Sequence, residues 1–108
     1  MVEATKDSFH DLVSDGVTLV DVWGPACAPC IALMPDVERI EAERSVKVVK
    51  VEAPKNRRLC MELRVMGLPA FLLFRDGEEV SRLDGNLSAA GLWEWVDGNL
   101  AATPADGR

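Results

Sequence analysis

Val17 to Cys30 reads VTLVDVWGPACAPC, and the reading of this stretch decides the fold. Its first half, Val17 to Trp23, is rich in β-branched and aromatic residues and stops at Gly24-Pro25, which predicts a strand apolar on both faces. Such strands sit centrally in α/β sheets. From Cys30 the spacing turns helical, with Cys30, Met34, Val37 and Ile40 or Glu41 on one stripe and Glu38, Arg39, Glu43 and Arg44 facing water. Pro35 lies inside this helix, removes one backbone hydrogen bond and clashes with the preceding turn, so a kink is expected there. A second strand over Val46 to Ala53 completes a βαβ unit.

Upstream, Phe9, Leu12 and Val13 recur at helical spacing, with Thr5 or Asp7 as N-cap and Gly16 as the stop, which predicts a helix over 6–15. Downstream, Leu59 and Leu63 mark a short helix over Asn56 to Arg64, and Ala70 to Phe74 reads as a third strand. Asp76-Gly77 is a hairpin signal that returns Glu78 to Leu83 antiparallel. Ser88 caps a last helix whose Leu92, Trp93, Val96 and Leu100 form an apolar stripe. The expectation is a single α/β domain spanning 1–108 with its core over 6–101. Its central mixed β-sheet, a βαβ unit followed by a β-hairpin, is flanked by helices on both faces. The last residues, 102–108, have nothing to bury and are expected to form a flexible tail.

Composition agrees with one soluble domain. At 108 residues, with 48% hydrophobic and 28% charged side chains, the chain is too short for a multidomain enzyme and too apolar for a disordered one. No apolar run approaches the roughly 20 residues that cross a bilayer. A net charge of -6 argues against binding nucleic acid through phosphates, because that affinity comes from Lys and Arg. Met1 to Phe9 carries Glu3 and Asp7 and no apolar h-region, which predicts no signal peptide and a cytoplasmic location. Three cysteines are too few for a secreted disulfide scaffold.

Two of those cysteines frame Cys27-Ala28-Pro29-Cys30, where the strand hands over to the helix. A thiol at a helix N-terminus meets unpaired amides and the positive end of the helix dipole, which favour the thiolate. Two intervening residues allow a small disulfide ring, and Pro29 suits the first helical turn, where its missing donor is not needed. This geometry suits thiol–disulfide exchange, with Cys27 attacking a substrate disulfide and the more buried Cys30 resolving the mixed disulfide. The competing reading is half of a zinc site, for which only Cys60 and His10 remain as further ligands, without a second paired spacing. No metal or bound cofactor is expected.

Asp21 interrupts the apolar strand and shares a face with Leu19 and Trp23. Desolvation there raises a carboxyl toward a value useful for moving protons near neutrality, and Asp21 is read as the group that helps deprotonate Cys30. The alternative is a solvated carboxylate on an edge strand. Lys50 holds a similar place on the next strand, either paired with Asp21 or packing its stem while the ammonium reaches water. Gly67-Leu68-Pro69 precedes the third strand, with a trans proline as the default from sequence. Cys60 reads as a small buried hydrophobe, His10 as solvent-facing, and Trp93 and Trp95 as packing residues.

Taken together, Val20-Asp21-Val22-Trp23, Cys27-Ala28-Pro29-Cys30, Pro35, Lys50, Gly67-Leu68-Pro69, Asp76-Gly77 and Gly85 resemble the thioredoxin family, over roughly Phe9 to Ala101. The resemblance implies the thioredoxin fold, Cys27 as nucleophile, Cys30 as resolving thiol, Asp21 as buried proton acceptor and Pro69 as a cis-proline beside the disulfide. It further implies a substrate groove bordered by Trp23, Gly67, Leu68, Pro69 and Gly85, with Ala28, Pro29 and Lys50 tuning the redox couple. The function implied is a dithiol electron donor to protein disulfides, recharged by a flavin- or ferredoxin-dependent thioredoxin reductase. The family usually has tryptophan where Ala26 stands, Gly-Pro where Ala28-Pro29 stands, and threonine where Ala70 stands. In these changes the chain resembles the atypical thioredoxins of anaerobic bacteria. A disulfide oxidant or isomerase, a non-catalytic binding module and a cysteine-based metal site are the other readings, and a monomer is the simplest expectation for one domain.

Overall fold

The computed structural model describes residues 1–101. Along the chain run β1 (Val2–Glu3), α1 (Lys6–Leu12), β2 (Val17–Trp23), α2 (Ala28–Arg44), β3 (Lys47–Glu52), a single 3-10 turn (Ala53–Lys55), α3 (Arg57–Leu63), β4 (Ala70–Arg75), β5 (Glu78–Asp84) and α4 (Ala89–Ala101). The tail expected over 102–108 lies outside the described residues.

The strands form one sheet in the order β1-β3-β2-β4-β5. β3 is parallel to β1 and to β2, whereas β4 is antiparallel to β2 and to β5, so the sheet is mixed. β2 is therefore central, as a strand apolar on both faces but for Thr18 and Asp21 requires. Side chains alternate across it: Val20 and Val22 join Phe9, Val49, Leu59 and Leu72 in one core under α1 and α3. Leu19 joins Leu33, Val37, Ile40, Val48, Phe71, Leu92 and Val96 in a second core under α2 and α4. Helices thus cover both faces, and the Cα radius of gyration is 12.9 Å. Each fully buried Leu or Phe contributes about 1.5–3 kcal/mol by leaving water.

The expected helix over 6–15 stops at Leu12. Residues 13–16 pair with the hairpin turn instead: Gly77 N donates to Val13 O at 2.9 Å, and Asp76 N donates to Gly16 O at 2.9 Å. Asp76 and Gly77 both take positive φ, 50° and 89°, as a tight hairpin with right-handed strand twist demands. At the other end Thr5 caps α1, accepting from Ser8 N at 3.3 Å while Ser8 Oγ accepts from Thr5 N at 2.9 Å. Thr5→Ala is expected to cost about 1 kcal/mol and to lower Tm by about 4 °C or more. An unchanged melting curve would show that this cap does not stabilise the domain.

α2 buries Cys30, Leu33, Val37 and Ile40, so Leu33 replaces the expected Met34 on the inner stripe, and Met34 is half-buried. The helix continues through Pro35, which lies on its exposed side. Trp93 and Trp95 do more than pack, because their Nε1 groups donate to Asp36 Oδ1 at 2.9 Å and Ser81 Oγ at 3.0 Å. These bonds tie α4 to α2 and to β5.

Candidate active site

Register brings the site together at one end of the sheet. Val22 on β2 is opposite Ala70 on β4, and Ala70 is opposite Asp84 on β5, so Pro69 and Gly85 flank the end of β2 from which the chain enters α2. Gly24 leaves little room for a side chain there. A Cβ built on it would stand 3.2 Å from Leu68 Cδ1 and 4.0 Å from Cys27 Cβ, so the loop before β4 and the cysteine pair both lie against it.

Cys27 and Cys30 are joined in a disulfide, with Cα atoms 5.3 Å apart. Cys27 is the N-cap of α2, and its sulfur accepts from Cys30 N at 3.2 Å. Ala28 and Pro29 fill the first turn and are exposed. Cys27 is partly exposed, whereas Cys30 is 1% exposed. The sulfur at the open end therefore sits at the positive pole of a 17-residue helix, and the other is buried one turn in.

Asp21 is 1% exposed, and neither carboxylate oxygen has a hydrogen-bond partner among the described residues. It lies on the central strand, which removes the alternative of a solvated edge carboxylate. Burial pushes its pKa up from 3.8 to about 7, the Lys50 charge pulls it down, and the Glu3 charge raises it. Asp21 shares a face with Leu19, and Cys30 shares the inner stripe of α2 with Leu33 and Val37, which close over that face. The carboxyl thus belongs to the layer beneath the cysteine helix.

Lys50 is opposite Asp21 in the sheet, yet its ammonium is held elsewhere. Nζ stands 3.6 Å from Glu3 Oε2 and 4.6 Å from the centre of the Trp23 ring. An Asp21–Lys50 ion pair is absent among the described residues, and the lysine does not simply reach water; Glu3 on β1 captures it. Trp23 donates from Nε1 to the same Glu3 oxygen at 3.1 Å.

Gly67, Leu68 and Gly85 line one cavity of about 330 Å³ with Arg64, Met66 and Asp84. Leu68 also borders a second, of about 420 Å³, with Pro54, Cys60 and Met61. Trp23 lines neither, because its indole is turned toward Glu3 and Lys50. The Leu68–Pro69 peptide is cis, as the family resemblance implies and against the trans default for an isolated X-Pro bond. Gly85 takes φ +91°, which a side chain rarely adopts. Met66, 95% exposed, lines the first cavity as well, and no pattern in the surrounding sequence marks it.

Cys60 is buried in the core, and burial pushes its thiol pKa up. His10 Nε2 meets Glu62 Oε2 at 2.7 Å on the surface. Among the described residues no three of His, Cys, Asp and Glu gather as a metal set, and no helix is long and apolar enough to cross a membrane.

A partly exposed and a buried cysteine that close a ring at a helix N-terminus are arranged for disulfide exchange with other molecules, the chemistry of the thiol–disulfide oxidoreductases. Comparison with known proteins narrows the class. The thioredoxin family profile matches residues 1–98. A thioredoxin of Acetoanaerobium sticklandii is 38% identical over 87 residues, which cover 77% of this chain and 83% of that protein. A thioredoxin of Bacillus subtilis is 34% identical over 102 residues, covering 93% of this chain and 98% of its own length. Among solved structures, a mutant thioredoxin from Halobacterium salinarum NRC-1 superposes with a TM-score of 0.82 at 27% identity, over 90% of this chain and 88% of that one. The chain belongs to the thioredoxin family and is a protein-disulfide reductase. The oxidant, binding-module and metal-site readings are not favoured by these relatives.

Proposed function

We propose that the Cys27 thiolate attacks one sulfur of a protein disulfide, forming a Cys27–substrate disulfide and releasing the other sulfur as a thiolate that takes a proton. Cys30 then gives its proton to the Asp21 carboxylate and attacks Cys27 Sγ. The second substrate thiolate leaves, the Cys27–Cys30 disulfide forms, and two electrons have passed to the substrate. The observation that carries this order of events is the asymmetry of the pair: Cys27 partly exposed at the helix cap, Cys30 buried one turn in.

Ala28 and Pro29 set the first turn that presents the Cys27 sulfur, and Lys50 sets the charge near Asp21. Gly67, Leu68, Pro69 and Gly85 form the groove for substrate backbone, and Trp23, read from the sequence as bordering it, holds Glu3 and Lys50 instead. The protein works as one domain and a monomeric electron carrier in cytoplasmic redox homeostasis. It holds no bound cofactor and is recharged by a flavin- or ferredoxin-dependent thioredoxin reductase. Membership of the thioredoxin family supports the reductase.

Limited alkylation of the fully reduced protein near neutral pH tests the asymmetry. Peptide mass analysis is expected to find the label on Cys27 before Cys30; equal or preferential labelling of Cys30 would overturn the assignment of nucleophile.

A further inference from the structure

Glu3, Lys50 and Asp21 stand in one row across three strands. Glu3 on β1 is opposite Lys50 on β3, and Lys50 is opposite Asp21 on β2. Opposed residues project to the same face of a sheet, and Trp23, two positions beyond Asp21, projects to it as well. One oxygen, Glu3 Oε2, accepts from Trp23 Nε1 at 3.1 Å and lies 3.6 Å from Lys50 Nζ, while the ammonium rests 4.6 Å from the Trp23 ring centre. The buried carboxyl at the inner end of the row has no hydrogen-bond partner among the described residues. The cation beside it is held from the outside by a second carboxylate.

We propose that Glu3 is a positioning residue of the redox site: by holding Lys50 and the Trp23 indole at the outer end of this row, it governs how strongly the Lys50 charge acts on Asp21, and through Asp21 the proton transfer from Cys30. The proposal rests on the reading of Asp21 as proton acceptor. The groups facing Asp21 are few. β3 presents Lys50, and β1 presents Glu3 beyond it; β4 presents apolar Phe71, and α2 presents the stripe of Cys30 and Leu33, in which only the reduced Cys30 thiol titrates. Lys50 favours the carboxylate and Glu3 disfavours it. Removing the Glu3 charge therefore acts twice in one direction, because the repulsion disappears and Lys50 is freed toward Asp21.

The test uses the full chain, reduced and mixed in stopped flow with excess dithiobis(nitrobenzoate). One thionitrobenzoate leaves on attack by Cys27 and a second on resolution by Cys30, and the second phase is followed from about pH 5 to 9. Glu3→Gln, which keeps an acceptor for the Trp23 Nε1–H, is expected to lower the midpoint of that phase by about one pH unit. Lys50→Met is expected to raise it, and in an Asp21→Asn background Glu3→Gln is expected to change nothing. An unmoved midpoint in Glu3→Gln, with the titration lost in Asp21→Asn, overturns the role of Glu3 alone. A titration that survives in Asp21→Asn overturns the reading of Asp21 and this proposal with it. Glu3→Gln and Lys50→Met shifting in the same direction would indicate general loosening of the edge and would equally overturn it.

Discussion

Cys27→Ser is expected to abolish protein-disulfide reduction, with insulin turnover falling at least about a hundredfold, to the background of the chemical reductant. A serine hydroxyl at the cap of α2 keeps the hydrogen bond from Cys30 N, so the helix start survives while the nucleophile is lost. Cys30 cannot substitute, because it is buried beneath the first turn. Cys30→Ser is expected to behave differently: Cys27 still attacks, and the enzyme stops as a covalent complex with its substrate. Mass analysis of that variant after exposure to a disulfide substrate reads the adduct directly. Full activity in Cys27→Ser, or no adduct in Cys30→Ser, would reverse the assigned roles.

The second large effect concerns stability. Asp21 has a carboxyl pKa of about 7 in the folded protein against an ordinary 3.8, and desolvation is the cause. The folded state therefore keeps a proton that the unfolded chain has already lost between about pH 4 and 7, and stability falls as pH rises through that window. The gap from 3.8 to about 7 corresponds to roughly 4 kcal/mol, fully lost above the folded value. Asp21→Ala in the disulfide form, where Cys27 and Cys30 do not titrate, is expected to be about 2–3 kcal/mol more stable than the parent at pH 8, after the loss of packing is offset. At about pH 4 it is expected to show no gain. Urea unfolding at both pH values gives the difference between the two proteins and cancels the other ionisable groups. Identical pH profiles in parent and variant would show that Asp21 is ionised in the fold without penalty.

These two expectations draw on residues that were legible in the sequence for simple reasons. A carboxylate in an otherwise apolar strand and a cysteine pair at a strand-to-helix junction are local signals, and β2 runs over Val17–Trp23 as its composition predicts. Long helices and the hairpin were legible because their periods are sustained or their turn residues unusual. What the sequence hid was relational. β1 is two residues long, too short to show any alternation, and only the register sets Glu3 opposite Lys50. The partner of Lys50 is hidden for the same reason: carboxylates on the two flanking strands, Glu3 on β1 and Asp21 on β2, compete for its ammonium, and only strand order and register decide which is reached. Helix α1 ended early because the hairpin, some 60 residues on, takes the Val13 and Gly16 carbonyls. The peptide before Pro69 is cis, an isomer that no local residue dictates and that only the family resemblance implies.

The chemistry of the site depends on Cys27 and Cys30 forming a couple that gives electrons away. The equilibrium potential of that couple, measured in a dithiothreitol or glutathione series with thiol state read by alkylation and mass, tests this most directly. A potential well below the glutathione poise is expected, each ~30 mV being tenfold in the two-electron equilibrium. A potential at or above that poise would make the protein an oxidant of thiols and would contradict its reading as a reductase.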